Sequence, residues 1–213
     1  MHRILLPMIS LGLAACDGQI LLTASNDDSV AWEVLERPLG RGHVLARNSL
    51  REAGAFVLRL EPDAANGGQF RTVERFGWGH YEVSMRCPRA EGSLCAFFLY
   101  EDRPGNVSDE IDIEIFNDGS RRALLVTWVG GARTNLREIL LPFDPAAATH
   151  VYRIDRRGHG VGFSIDGIEY ARFMSRVPTE PMHVYMNAWY PTWLEPGGAT
   201  APVMWVDEVR LVR

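Results

Sequence analysis

Ser108-Asp109-Glu110-Ile111-Asp112-Ile113-Glu114-Ile115-Phe116 is the segment that decides the fold. Acidic and apolar residues alternate along it, and side chains of a β-strand point alternately to its two faces. Ile111, Ile113 and Ile115 therefore share a core-facing side, while Glu110, Asp112 and Glu114 share the other. No Lys or Arg is interspersed to relieve repulsion among the three acids. One reading is a solvated acidic strand, or an edge strand whose charge discourages pairing. A second is a pair of carboxyl groups for glycoside hydrolysis, one ionised and one protonated, flanking a sugar bond. Crowded like charges raise the pKa of at least one member and keep a proton available near neutrality. A calcium site built on the same acids is the third. On a flat strand, residues four apart lie about 13 Å from one another, at roughly 3.3 Å per residue. Retaining glycosidases hold their carboxyls about 5–5.5 Å apart, so catalysis requires a bent strand with both Glu side chains leaning together on its concave side.

The same short rhythm runs through the chain. Ala55–Leu60, His80–Met85, Leu94–Tyr100, Ala123–Trp128 and Val203–Val206 are alternating or short apolar runs, broken by Gly, Pro, Asn and Asp. Helical periodicity is almost absent. The pattern predicts an antiparallel sandwich or barrel, with one outer face left for a ligand. Val161–Ile165 and Ile168–Phe173, joined by Asp166-Gly167, predict a hairpin with a type I′ turn, because both central residues need positive φ.

Composition narrows the function. The 213 residues suit one domain with a packed core. The net charge of −5 offers no basic surplus for nucleic-acid phosphates. All 22 basic residues are Arg, which excludes a Walker A loop, a Schiff-base lysine and a Ser–Lys pair. Neither a Gly-x-Ser-x-Gly turn nor a His-Glu-x-x-His motif occurs. The scattered His residues make no metal-ligand pair; His80 alone, in the Gly-Trp-Gly-His turn, is expected to approach a cleft.

Residues 1–16 read as a secretory leader: a basic start, an apolar run from Ile4 to Leu13 too short to span a bilayer, then small residues. Leu13-Ala14-Ala15-Cys16 resembles the bacterial lipobox, whose Cys carries the lipid; the alternative is an ordinary signal peptide. A short tether is expected over 17–29 and the mature domain over 30–213. Export and a lipid anchor at Cys16 are thus the expected localisation, the membrane being touched only there. Cys87 and Cys95 flank a turn, and the alternatives are a disulfide, which an exported protein permits, or two buried thiols.

Taken together, the chain resembles glycoside hydrolase family 16, and within it the bacterial lichenases and related β-glucanases. Asp109-Glu110-Ile-Asp112-Ile-Glu114 matches the family's acidic motif in full, in the form without an extra residue before the last Glu. Phe76–Met85 resembles its Gly-x-Gly-x-Tyr-Glu-x-x-Met strand, and Ala96–Tyr100 its Phe-Phe-x-Tyr strand. The Asp166-Gly167 hairpin, Met186–Trp189 and Val206–Arg210 follow in order, so the likeness covers about residues 30–213. It implies a concanavalin-like β-jelly-roll sandwich of two curved antiparallel sheets. It also implies Glu110 as nucleophile, Glu114 as general acid/base and Asp112 as the carboxylate that orients Glu110. Asn48, Arg71, Asn187 and Trp189 match cleft-lining positions, and Asp207 matches a family Asp that helps hold a structural calcium. Three departures lie near the cleft: Ser108 where lichenases carry Trp, Gln69 where they carry Glu, and a shorter Trp189–Trp193 loop.

Tyr100, Trp128, Trp189 and Trp193 are candidate platforms for the C–H face of a pyranose, whereas Trp32, Trp78 and Trp205 read as core or structural. The expected protein is a monomeric retaining endo-glycosidase that needs no cofactor for its chemistry. Its substrate is a β-glucan of 1,3-1,4 or 1,3 type or a related bacterial exopolysaccharide. A lectin-like carbohydrate-binding module and a transglycosylase are the alternatives.

Overall fold

The computed structural model describes residues 20–23, 29–105, 107–158, 160–198 and 202–212. The expected leader, Cys16, most of the tether and His159 lie outside the described residues. Alternation drives the architecture: each strand buries one row of side chains, and the two sheets meet over those rows. One sheet contains β2 (Trp32–Val34), β7 (Gly68–Phe76), β9 (Leu94–Arg103), β10 (Val107–Phe116), β11 (Arg122–Val129), β12 (Ala132–Leu140) and β16 (Met182–Trp189), in the order β12-β11-β10-β9-β16-β7-β2. The other runs β15-β14-β13-β8-β17-β6-β5. Its members are β5 (Ser49–Glu52), β6 (Ala55–Arg59), β8 (Gly79–Arg86), β13 (His150–Arg157), β14 (Gly160–Ile165), β15 (Ile168–Phe173) and β17 (Val203–Val212). All the strand pairings are antiparallel.

Between the sheets lies one apolar core. Ile111, Ile113 and Ile115 enter it from β10, Phe97 and Leu99 from β9, Met186 from β16, and Tyr81, Met85, Tyr152 and Phe163 from the second sheet. On β9 the alternate residues Ala96 and Phe98 join Tyr185 in a separate cluster on the outer face, with Tyr100 packed against it. The residues that β9 withholds from the core therefore floor the surface where β10 displays its acids.

The hairpin expected at Asp166-Gly167 forms between β14 and β15, with φ of 49° and 79° at the two turn residues. A smaller hairpin, β3 (Arg37–Leu39) and β4 (Gly42–Val44), forms its own two-stranded ladder and meets the groove sheet through a parallel bridge from Val44 to Gly67, just before β7.

Two expectations need correction. Ile20–Thr23, read as tether, forms β1 and pairs with β17; a four-residue strand inside a polar stretch leaves little periodicity to detect. Trp78, read as core or structural, takes the structural part: 42% exposed, it lies over the guanidinium of fully buried Arg156, 5.2 Å from ring to charge. Arg156 donates to the carbonyls of Gly77 and Glu180, tying the β7–β8 turn to the segment before β16. His80 does not approach the acidic strand: β8 lies in the opposite sheet, and its imidazole pairs with Asp155 at 3.0 Å.

Candidate active site

β10 is held on both sides, so its outward residues have fixed neighbours. Glu110 lies between Tyr100 of β9 and Trp128 of β11, Asp112 between Phe98 and Val126, and Glu114 between Ala96 and Leu124. A row of acids is thus set in a largely apolar surface. Asp112 is only 5% exposed, while the two glutamates keep partial access.

A groove crosses the strands over these acids. Its β9–β16 half, about 520 Å³, is walled by Arg37, Leu39, Phe98, Tyr100, Asn187 and Trp189. Its β11–β12 half, about 830 Å³, is walled by Leu124, Val126, Trp128, Arg133, Leu136, Trp189 and Trp193. Glu110, Asp112 and Glu114 line both.

Electrostatics distinguish the two glutamates. Burial pushes the Glu110 carboxyl up to about 7, against the lowering by the Asp112 hydrogen bond and the Arg37 guanidinium and with the charge of Asp102 adding to the rise. Glu114 is also pushed up to about 7, first by burial and then by the charge of Glu110, with nothing opposing. Asp112 is driven well above the usual carboxylate range by burial and by the charges of both glutamates. Asp112 therefore carries a proton and donates it in a hydrogen bond to Glu110, which favours the ionised form of Glu110. Both glutamates thus titrate near 7 beside a protonated Asp112, with a donor and a cation favouring the charged form of Glu110 and neither favouring that of Glu114. That combination suits nucleophilic attack with general-acid assistance.

Supporting contacts extend away from the acids. Tyr100 donates to Asp102 at 2.5 Å. Tyr185 stacks on Phe98 with centroids 4.8 Å apart. Arg71 donates to the Tyr185 hydroxyl at 3.3 Å and pairs with Glu33, so it stands behind Tyr185 rather than in the groove wall. Asn48 is buried in a short 3-10 turn, its backbone carbonyl packed against Gly68; it lines neither half of the groove. Trp193 is 54% exposed at the outer end, edge-on to Phe116.

Arg37 was not visible as a site residue in the sequence. It reaches the groove because the β3–β4 hairpin folds over Trp189 and Tyr190. At the turn, Gly40 has φ of +61°, and a Cβ there would lie 2.1 Å from the Tyr190 carbonyl oxygen. Arg37 then donates to Gln69 at 3.4 Å, so the residue that departs from the lichenase pattern positions the cation facing Glu110. Phe98, Leu124 and Val126 could have been found by extending the alternation of β9 and β11 to the groove face.

Asp207 sits at a register shift between Val206 and Glu208, exposed, and accepts a hydrogen bond from Thr149 at 2.8 Å. Among the described residues, no group of three or more His, Cys, Asp or Glu side chains is arranged to hold a metal ion. One exposed carboxylate falls short of the six to eight oxygens calcium takes, so these side chains alone do not fit a calcium cage. The Cys87 and Cys95 thiols are both free and buried.

Comparison with known proteins agrees with this layout. A family profile described as "Glycosyl hydrolases family 16" matches residues 41–207. A beta-glucanase of Bacillus subtilis (strain 168) is 30% identical over 145 residues, 66% of this chain and 60% of the relative. A xylanase/beta-glucanase of Ruminococcus flavefaciens is 32% identical over 128 residues, 58% of this chain and 16% of that protein. The chain thus spans less than two thirds of these relatives. Among solved structures, Bacillus licheniformis beta-glucanase superposes with a TM-score of 0.82 at 23% identity, covering 92% of this chain and 99% of that one; at that identity the match supports the jelly-roll fold alone.

Proposed function

The chain belongs to glycosyl hydrolases family 16, and on that premise we propose that it is a retaining endo-glycosidase. Its substrate is a β-glucan of 1,3-1,4 or 1,3 type, or a related bacterial exopolysaccharide. The observation that carries the reading is the split between the two glutamates: Glu110 has a donor and a cation favouring its charge, and Glu114 has neither.

The ionised Glu110 attacks the anomeric carbon while Glu114 passes its proton to the departing glycosidic oxygen. The product is a glycosyl ester on Glu110 and a freed sugar end. Water then enters, Glu114 takes its proton, and the hydroxide equivalent displaces Glu110, so two inversions give net retention. Asp112 holds its proton toward Glu110, which loses charge on forming the ester and regains it on release. Trp189, shared by both halves of the groove, and Trp128 present ring faces to the sugars, and Asn187 hydrogen-bonds their hydroxyls.

The test is product analysis after incubation with lichenan, laminarin, curdlan, agarose and an acidic exopolysaccharide. Release of reducing ends from at least one, with the β-anomer formed first, supports the reading. Oligosaccharide binding without any release would assign the sandwich a lectin-like role instead. Products longer than the substrate would mean that a sugar hydroxyl replaces water in the second step. We further propose export with a lipid on Cys16, on the strength of the leader residues; metabolic labelling with a fatty acid, lost on Cys16→Ser, tests it.

A further inference from the structure

We propose that Cys87 and Cys95 are a disulfide-forming pair that links the two sheets beneath the outer end of the groove. Cys87 follows β8 of the second sheet, and Cys95 lies on β9 of the groove sheet. They are 2% and 0% exposed, and their thiols are within hydrogen-bonding contact. The polypeptide around them is already fixed. The Cys87 amide donates to the Pro145 carbonyl at 3.0 Å and the Ala90 amide to the Asn117 carbonyl at 2.9 Å. Asn117 Nδ2 donates to Ser93 Oγ at 2.8 Å and reaches Cys95 Sγ at 3.6 Å.

The bond would act on the groove through the loop it closes. Glu91 and Gly92 lie against Glu195 and Gly197: a Cβ on Gly92 would be 2.4 Å from the Glu195 carbonyl oxygen, and one on Gly197 would be 2.2 Å from Glu91 Cβ. Those residues continue from Trp193, the outermost ring of the groove. A cross-link at the base of the loop therefore steadies the wall on which Trp193 is mounted.

The chemistry is a two-electron oxidation by a small disulfide or a disulfide-exchange protein. One thiol loses its proton and attacks the oxidant's disulfide, releasing one thiol; the second cysteine thiolate displaces the other. Two cysteine thiols and one disulfide become the Cys87–Cys95 bond and two thiols. Its hydrogen bond to Cys95, and then burial, hold the Cys87 thiol well above its ordinary range, so the native protein has little thiolate to start the exchange. The bond forms while the chain folds, before the sheets close over the pair.

The experiment refolds the full chain with oxidised glutathione or with a reductant, then denatures and alkylates it for intact-mass and peptide analysis. The expected result is a Cys87–Cys95 cross-linked peptide after oxidative refolding, no alkylation at either residue, and a melting temperature about 5–10 °C above the reduced form. Native reduced protein mixed with the same oxidant should form the bond at least tenfold more slowly. Alkylation of both cysteines after oxidative refolding, or glutathione attached to either, would overturn the proposal. So would an oxidised form no more stable than the reduced one. None of these readouts depends on the sugar substrate, so the proposal can fail while the glycosidase reading stands, and the reverse.

Discussion

Trp128 stands directly opposite Glu110 in the β10–β11 ladder, yet its indole N–H donates to Asp112, the next acid along the same face. Asp112 in turn donates toward Glu110. The order Trp128, Asp112, Glu110 is a chain of donors ending on the carboxylate that attacks. A residue that would otherwise be only a sugar platform thus also orients the proton next to the nucleophile.

Trp128→Phe separates those two roles, because it keeps a ring and removes the N–H. A hydrogen bond to a neutral carboxyl is worth about 0.5–1.5 kcal/mol, so kcat should fall by about two- to tenfold while KM for short oligosaccharides changes little. Steady-state kinetics on a defined oligosaccharide check it. Unchanged kcat with raised KM would leave Trp128 as a platform alone.

Glu110→Ala and Glu114→Ala should each reduce turnover by on the order of 10²–10⁴-fold or more, and azide distinguishes them. In Glu110→Ala the small anion takes the nucleophile's place, so the glycosyl azide has inverted configuration. In Glu114→Ala the ester still forms with an activated aryl leaving group, and azide displaces Glu110 to give the retained product. Proton NMR of the azides reads the outcome; the opposite pairing would exchange the assigned roles.

The acids of β10 also predict how stability varies with pH. Glu110 and Glu114 titrate near 7 in the folded protein against an ordinary value of 4.5. The folded state therefore binds more protons than the unfolded state between those values. Stability is highest below about 4.5 as far as these groups are concerned, falls as pH rises toward 7, and is flat above. Glu114→Gln removes its share, about 1–3 kcal/mol after allowing for partial exposure and coupling. Its melting temperature should exceed that of the parent at pH 8 and match it at pH 4. Calorimetry at both pH values measures the difference, and equal gains at the two would detach it from ionisation.

Much of this site was legible because a strand's two-residue period assigns each residue of β10 to a face without tertiary information. Tyr100, Trp128, Asn187, Trp189 and Trp193 do line the groove, and Gly167 with Asp166 makes the expected turn. Period says which face of a sheet a residue takes but not which sheet its strand joins, and so His80 was placed on the wrong side. Asn48 matched a position in a motif, whereas its burial depends on how the 3-10 turn packs under Gly68. Arg37 lies in a three-residue strand with no periodicity of its own. Only the docking of its hairpin on Trp189 brings it to the acids.

That docking can be broken at one atom. Gly40 occupies left-handed backbone, which costs an alanine about 1–2 kcal/mol, and the added Cβ would also collide with the Tyr190 carbonyl. Gly40→Ala should lift the turn end of the β3–β4 hairpin, breaking the Arg41 amide bond to the Tyr190 carbonyl, while the sheets stay intact and the Val44–Gly67 bridge holds the other end. Arg37 would then withdraw from Glu110, whose ionised form loses its one cation. The acidic limb of the pH–kcat/KM profile should move to higher pH, in the same direction as in Arg37→Gln. Gly40→Ala should in addition raise KM, because Leu39 leaves the groove wall with Arg37. Profiles of the three proteins on one oligosaccharide decide it. An acidic limb that stays in place in Arg37→Gln would remove Arg37 from any part in the ionisation of Glu110.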